Sequence, residues 1–237
     1  MATIYLIRHG QASFGAANYD ELSELGCRQA EVLGHYLRDC EIQFDVVYSG
    51  NLERQKKTAA LAIASQPAIP THNIDSRFNE IRNDEQIEQL LPVIIEQQPA
   101  IKEIVDSGLG ISKNFQKIVE ATFNHWVSPS CSSETIQSWA DYSSGVRDAM
   151  SDVMQENGSG KTIGIFASGG TIATIVAQVL GLTGAQTYQF YEPVINCSVT
   201  QIFYSGAGSR TSLSYFNDHS FLDVLGRQQG EELISYR

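Results

Sequence analysis

Apolar and polar residues follow one another along the chain in two kinds of block. Residues 3–7 (TIYLI), 44–48 (FDVVY) and 162–167 (TIGIFA) are short, dominated by apolar, β-branched and aromatic positions, which predicts strands, the first and third buried on both faces. Between them lie longer amphipathic blocks. A helix capped by Ser23 is predicted to run to about Cys40, with Leu25, Leu33 and Leu37 among its inward positions. Further helices are predicted at 52–64, at 134–156, where Asn157-Gly158 would stop it, and at 169–180. Residues 198–204 and 212–216 read as a late hairpin.

One stretch breaks this rhythm. Residues 84–126 are polar, Gln-rich and helical in pattern, punctuated by Pro92, Pro99, Gly108 and Gly110, and 128–133 (SPSCSS) reads as a return linker. The expectation is a single domain over 1–237 with an inserted helical cap at about 84–133. Strands alternating with helices imply an α/β three-layer sandwich: a mostly parallel central sheet with helices on both faces. Ligands in such folds bind at the carboxyl ends of the strands.

Composition changes this picture little. At 237 residues with 42% apolar content the chain can bury a large core. The net charge of -11 argues against nucleic-acid and anionic-membrane partners, so an anionic ligand needs its own cluster of arginines. No apolar run approaches the ~20 residues of a membrane span. The first residues lack the charged start and long apolar core of a signal peptide, so a cytosolic protein is expected. Cys27, Cys40, Cys131 and Cys197 are scattered, which fits reduced thiols and suggests no metal site.

The candidate chemistry sits where the buried strands end. The first runs directly into Arg8-His9-Gly10, and the third into Ser168-Gly169-Gly170. A guanidinium and an imidazole at the end of a buried strand are costly unless an anion meets them. Two other motifs fail on context. GSGKT at 158–162 lacks the first glycine of a phosphate-binding loop, having Gln155, and it follows a helix and opens a strand. Ser168 lacks the glycine two residues earlier that a nucleophile elbow requires, having Phe166.

The motifs, taken in order, resemble the histidine phosphatase superfamily, the phosphoglycerate mutase-like proteins. They are Arg8-His9-Gly10; Leu22-Ser23-x-x-Gly26 with Gln29-Ala30; Ser49-Gly50-x-Leu52-x-Arg54 with Thr58-Ala59; Arg77-Phe78-Asn79-Glu80; Gly169-Gly170; and Asn196-Cys197-Ser198-Val199-Thr200. Gln11-Ala12-Ser13-Phe14-Gly15 is similar to a bacterial branch of it. The resemblance implies that His9 attacks a phosphoryl group and becomes phosphohistidine, that Arg8 and Arg54 clamp the phosphoryl oxygens, and that Glu80 protonates the leaving oxygen. It implies a metal-independent phosphatase without cofactor, whose partners are a small phosphorylated substrate and inorganic phosphate. Glu85 or Asp84 could substitute for Glu80, since Ile81-Arg82-Asn83 departs from the usual continuation.

The main departure is Ser168, where the family has a second histidine. As a helix N-cap, Ser168 would present its hydroxyl and the amides of Gly169 and Gly170 to an anion. Phosphate binding should survive and transition-state stabilisation should weaken. His219 is the one histidine considered as a replacement; His35, His72 and His125 read as ordinary surface or helix residues. The alternatives are a phospholigand-binding protein that has lost turnover and, less favoured, a phosphoglycerate mutase.

Overall fold

The computed structural model describes residues 1–13, 19–108, 112–131, 133–206 and 210–236. Six strands form one sheet: β1 (Ala2–Arg8), β2 (Val46–Ser49), β3 (Thr71–Ile74), β4 (Thr162–Ala167), β5 (Val199–Ser205) and β6 (Arg210–Asp218). Their order is β3-β2-β4-β1-β5-β6. The first four of that order run parallel, β5 is antiparallel to β1, and β6 is antiparallel to β5.

The apolar run at the N-terminus has its explanation in that order. β1 is interior, so its alternating side chains meet cores on both faces: Ala2, Ile4 and Leu6 on one, Tyr5 and Ile7 on the other. The second face is covered by α1 (Glu24–Asp39) and α2 (Glu53–Ile63). On the first face lie α3 (Asn83–Gln97), α4 (Pro99–Asp106), α5 (Ser112–Trp126), α6 (Trp139–Asn157), α7 (Gly169–Val179) and α8 (Tyr188–Tyr191). Leu222 of α9 (Ser220–Gln229) and Leu233 of the following tail return to the α1–α2 side. The result is the expected three-layer α/β arrangement. Among the described residues no helix is long and apolar enough to cross a membrane, the four cysteines are unpaired, and no cluster of three or more His, Cys, Asp or Glu could hold a metal ion.

Local chemistry accounts for most element ends. Ser23 caps α1, its Oγ accepting from the Gly26 amide at 3.0 Å. Several elements differ from expectation. The helix expected from 134 begins at Trp139, because Ser138 supplies its cap, accepting from the Asp141 amide. Pro92 does not interrupt α3, which runs through it; Pro99 opens α4, where a missing N–H costs nothing. Leu25 is only partly buried. His72 is neither a helix nor a loose surface residue: it sits on β3, an edge strand missed for its short, polar sequence, with Nε2 2.8 Å from Ser49 Oγ. α8 and α9 were also not anticipated. Phe14, Gly15, Gly110 and Ser132 lie outside the described residues.

Candidate active site

The backbone of residues 8–11 is the foundation. Arg8 ends β1 beside Ala167 of β4, and the His9 amide donates to the Ala167 carbonyl at 3.0 Å. The Cys197 amide returns to the Arg8 carbonyl at 3.1 Å, from a residue held at a left-handed φ of 57°. Three polar side chains fix the next carbonyl and two amides. Asn196 Nδ2 donates to the His9 carbonyl at 3.0 Å; Thr58 Oγ1 accepts from the Gly10 amide at 3.0 Å; Gln29 Oε1 accepts from the Gln11 amide at 2.9 Å. Gly10 must be glycine for want of room, since a Cβ there would stand 2.4 Å from the Gly26 carbonyl oxygen. Motif residues without candidate chemistry of their own, Asn196, Thr58 and Gln29, are thus the ones that hold the loop of His9.

His9 is buried at 4% exposure, and its ring has a defined tautomer. Nδ1 lies 2.7 Å from the Gly10 carbonyl, which can only accept, so Nδ1 carries the proton and Nε2 keeps its lone pair. Arg54 Nε–H donates to that Nε2 at 3.2 Å. Burial first, then the charges of Arg54 and Arg8, hold the imidazole pKa well below its ordinary 6.5. His9 is therefore a neutral, oriented imidazole in the field of two cations.

The arginines differ in their commitments. Arg54, in the first turn of α2, places Nη1 2.7 Å from Asp20 Oδ1 and lies over the Tyr19 ring at 5.4 Å. The other oxygen of Asp20 accepts from the Glu53 amide at 2.8 Å, so one carboxylate both caps α2 and steadies Arg54. Arg8 donates through Nη1 to the Val194 carbonyl, while its Nε is buried with no partner among the described residues. Burial pulls its pKa down and the Glu80 charge opposes this. An anion at this point would satisfy both the orphaned N–H and the charge.

Glu80 reaches the same place from the segment before α3. Its Oε1 accepts from the Ile81 amide at 2.9 Å and the Gly170 amide at 3.0 Å, at the N-terminus of α7. A Cβ on Gly170 would stand 2.5 Å from that oxygen, which is why glycine is needed there. Burial raises the Glu80 pKa above its ordinary 4.5 despite Arg54, Arg8 and both amides. Gly169 lies beside the orphaned Arg8 Nε, 3.6 Å from where its own Cβ would be. Ser168 has extended N-cap backbone but makes no cap hydrogen bond. Instead its fully buried Oγ accepts from Gln55 Nε2 at 2.9 Å, leaving the hydroxyl proton to be donated elsewhere.

The other candidates lie apart. Glu85 pairs with Arg82 at 3.2 Å on the exposed side of α3, and Asp84 lies in the first turn of that helix. His219 precedes α9 beyond the end of β6, two strands from β1 and so ~10 Å away by strand spacing, its Nδ1 on the Asn217 carbonyl at 2.7 Å. Sequence reasoning missed Asp20, Gln55 and the pair of Asn83 and Tyr191, whose side chains meet at 2.7 Å beside the site. Nothing in local pattern distinguishes them, because their roles depend on segments far away in the chain.

A neutral histidine with two guanidinium groups near it, at the carboxyl ends of two parallel strands, is a setting in which an α/β protein could receive an anion. Residues 4–218 match the family model of the histidine phosphatase superfamily (branch 1), and the chain belongs to that superfamily. It is 36% identical over 76 residues to the broad-specificity phosphatase YOR283W of Saccharomyces cerevisiae, covering 29% of this chain and 33% of that protein. It is 33% identical over 67 residues to a 2,3-bisphosphoglycerate-dependent phosphoglycerate mutase of Allorhizobium ampelinum, covering 26% and 32%. The matches thus span about a third of these relatives' length. Among solved structures, Bacillus stearothermophilus YhfR superposes with a TM-score of 0.66 at 18% identity, covering 93% of this chain and 99% of that one. A phosphoserine phosphatase from Entamoeba histolytica in complex with 3-phosphoglyceric acid superposes with a TM-score of 0.65 at 18% identity, covering 94% and 100%.

Proposed function

We propose that the protein is a metal-independent phosphomonoester hydrolase acting on a small phosphorylated metabolite through a phosphohistidine at His9. The observation that carries this reading is the His9 ring, with Nδ1–H fixed on the Gly10 carbonyl and the unprotonated Nε2 facing Arg54 Nε–H at 3.2 Å. Nε2 attacks phosphorus, the P–O bond to the alcohol breaks, and Glu80 delivers its proton to the departing oxygen. Water then attacks the phosphohistidine with Glu80 as base, releasing inorganic phosphate and restoring both groups.

The charge of the transferred group is met by Arg8, whose orphaned Nε gains a partner, and by Arg54. Ser168 Oγ–H and the Gly169 amide at the start of α7 supply the neutral donors. In this reading α3, α4 and α5 are the cap that shapes the leaving-group side. A weakened catalyst or a phospholigand-binding protein is the second reading: the resemblance implies a histidine where Ser168 stands, and Asp20 already pairs with Arg54. A phosphoglycerate mutase is the least favoured. Brief incubation with a labelled phosphodonor should give an acid-labile, base-stable phosphoenzyme that the His9→Ala protein cannot form. Turnover by that variant at the parent rate would overturn the mechanism.

A further inference from the structure

Tyr191 occupies a position that the mechanism above does not use. Its ring edge borders Gly169: a Cβ there would stand 3.2 Å from Cε2 and 3.6 Å from Arg8 Nε. Behind the ring lie Phe123 and Tyr188, with centroids 6.0 and 5.8 Å away, so it cannot retreat. The phenol oxygen accepts from Asn83 Nδ2 at 2.7 Å. Because that bond uses the oxygen as acceptor, the phenol keeps its own proton to donate, and it donates to no described residue. Burial and the Glu80 charge hold its pKa well above the ordinary value, so the proton stays on.

Position assigns that donor. The Glu80 carboxyl accepts from the Gly170 amide, next to the Gly169 that the Tyr191 ring borders, and Asn83, which bonds the phenol, lies three residues beyond Glu80. Glu80 hands its proton to the leaving oxygen, so the alcohol half of a substrate meets the phenol beside it, and a hydroxyl on that alcohol finds a donor there.

We infer that Tyr191, oriented by Asn83, is a specificity-determining contact to the leaving group, selecting phosphate esters of alcohols that carry a further hydroxyl over those that carry none. The inference rests on the phosphatase reading for its direction of chemistry. The experiment compares glycerol 1-phosphate with ethyl phosphate as substrates of the parent, Tyr191→Phe and Asn83→Ala proteins. Binding of both esters to His9→Ala protein, with and without Tyr191→Phe, is measured by calorimetry.

The parent should favour glycerol 1-phosphate over ethyl phosphate in kcat/KM. Tyr191→Phe should lower that ratio by about fivefold to tenfold, one hydrogen bond's worth. Asn83→Ala should move the ratio the same way. Ethyl phosphate used as well as glycerol 1-phosphate by the parent, or an unchanged ratio in Tyr191→Phe, would overturn the inference. If no ester is hydrolysed but calorimetry shows the same discrimination and its loss in Tyr191→Phe, the phosphatase reading falls and the contact stands.

Discussion

At the scale of single residues, the site depends on pairs of titratable groups pushed from their ordinary values. His9 is held neutral well below 6.5, and Glu80 keeps its proton above 4.5. The kcat/KM profile in pH should therefore lack an acid limb near 6.5 and decline on the alkaline side as Glu80 ionises. Glu80→Gln should remove that alkaline decline and slow esters of poor leaving groups far more than p-nitrophenyl phosphate. Linkage gives an independent readout. Below pH 6.5 the unfolded chain protonates His9 while the folded chain does not, so the stability His9 confers falls as pH drops through 6.5 and is level above it. The parent should lose stability relative to His9→Ala between pH 7 and 5 in urea titrations. The expectation that Ser168 stands where the superfamily has a histidine invites a Ser168→His variant, but the serine is fully buried and bonded to Gln55. Ser168→His alone should lower both activity and melting temperature. Adding Gln55→Ala to make room should recover part of the activity; a rise in the single variant would mean the ring finds space beside Gln55.

At the scale of elements, the site is a matter of close approach between β1, α1, α2 and α7. Gly26 of α1 meets the Gln11 backbone so tightly that a Cβ would stand 2.1 Å from its carbonyl oxygen. Gly26→Ala should cost about 2–4 kcal/mol and lower kcat, because neither partner is a side chain that can rotate away. These junctions were legible where a motif marks them: Arg8-His9-Gly10 at the end of a buried run, Ser23 as cap, two glycines opening α7. The sheet's parallel core was legible too, since each interior strand is apolar on both faces. β3 was not, because a four-residue edge strand reading THNI carries neither alternation nor apolar excess. The roles of Asp20, Gln55 and Tyr191 were hidden for another reason. Each is defined by a bond to a residue far away in the chain, and a single sequence gives no sign of such pairings.

At the scale of the whole molecule, segments more than two hundred residues apart meet beneath His9. The Asn196 amide donates to the Ser235 carbonyl at 3.0 Å, Ser235 Oγ donates to Asn196 Oδ1 at 2.9 Å, and Asn196 in turn holds the His9 carbonyl. Gln29 joins the same tail to Gln11 through its bonds to the Leu233 carbonyl and Ser235 Oγ. Ending the chain after Gly230 should cost at least about 2 kcal/mol, the burial of Leu233 alone, as read by thermal melting. Ser235→Ala should barely move the melting temperature yet lower kcat severalfold; an unchanged kcat would show that the tail only fills the core.

That closure gives the protein a timetable. Synthesis makes His9 more than two hundred residues before Ser235, which braces Asn196 beneath it. Until then, a nascent chain carries His9 on a loop whose carbonyl has no clasp and whose Gln11 amide lacks its tail-anchored partner. The imidazole takes up its final setting only once the segment around Ser235 has emerged and docked, so that nascent and finished molecules are separated by chemistry as well as by shape.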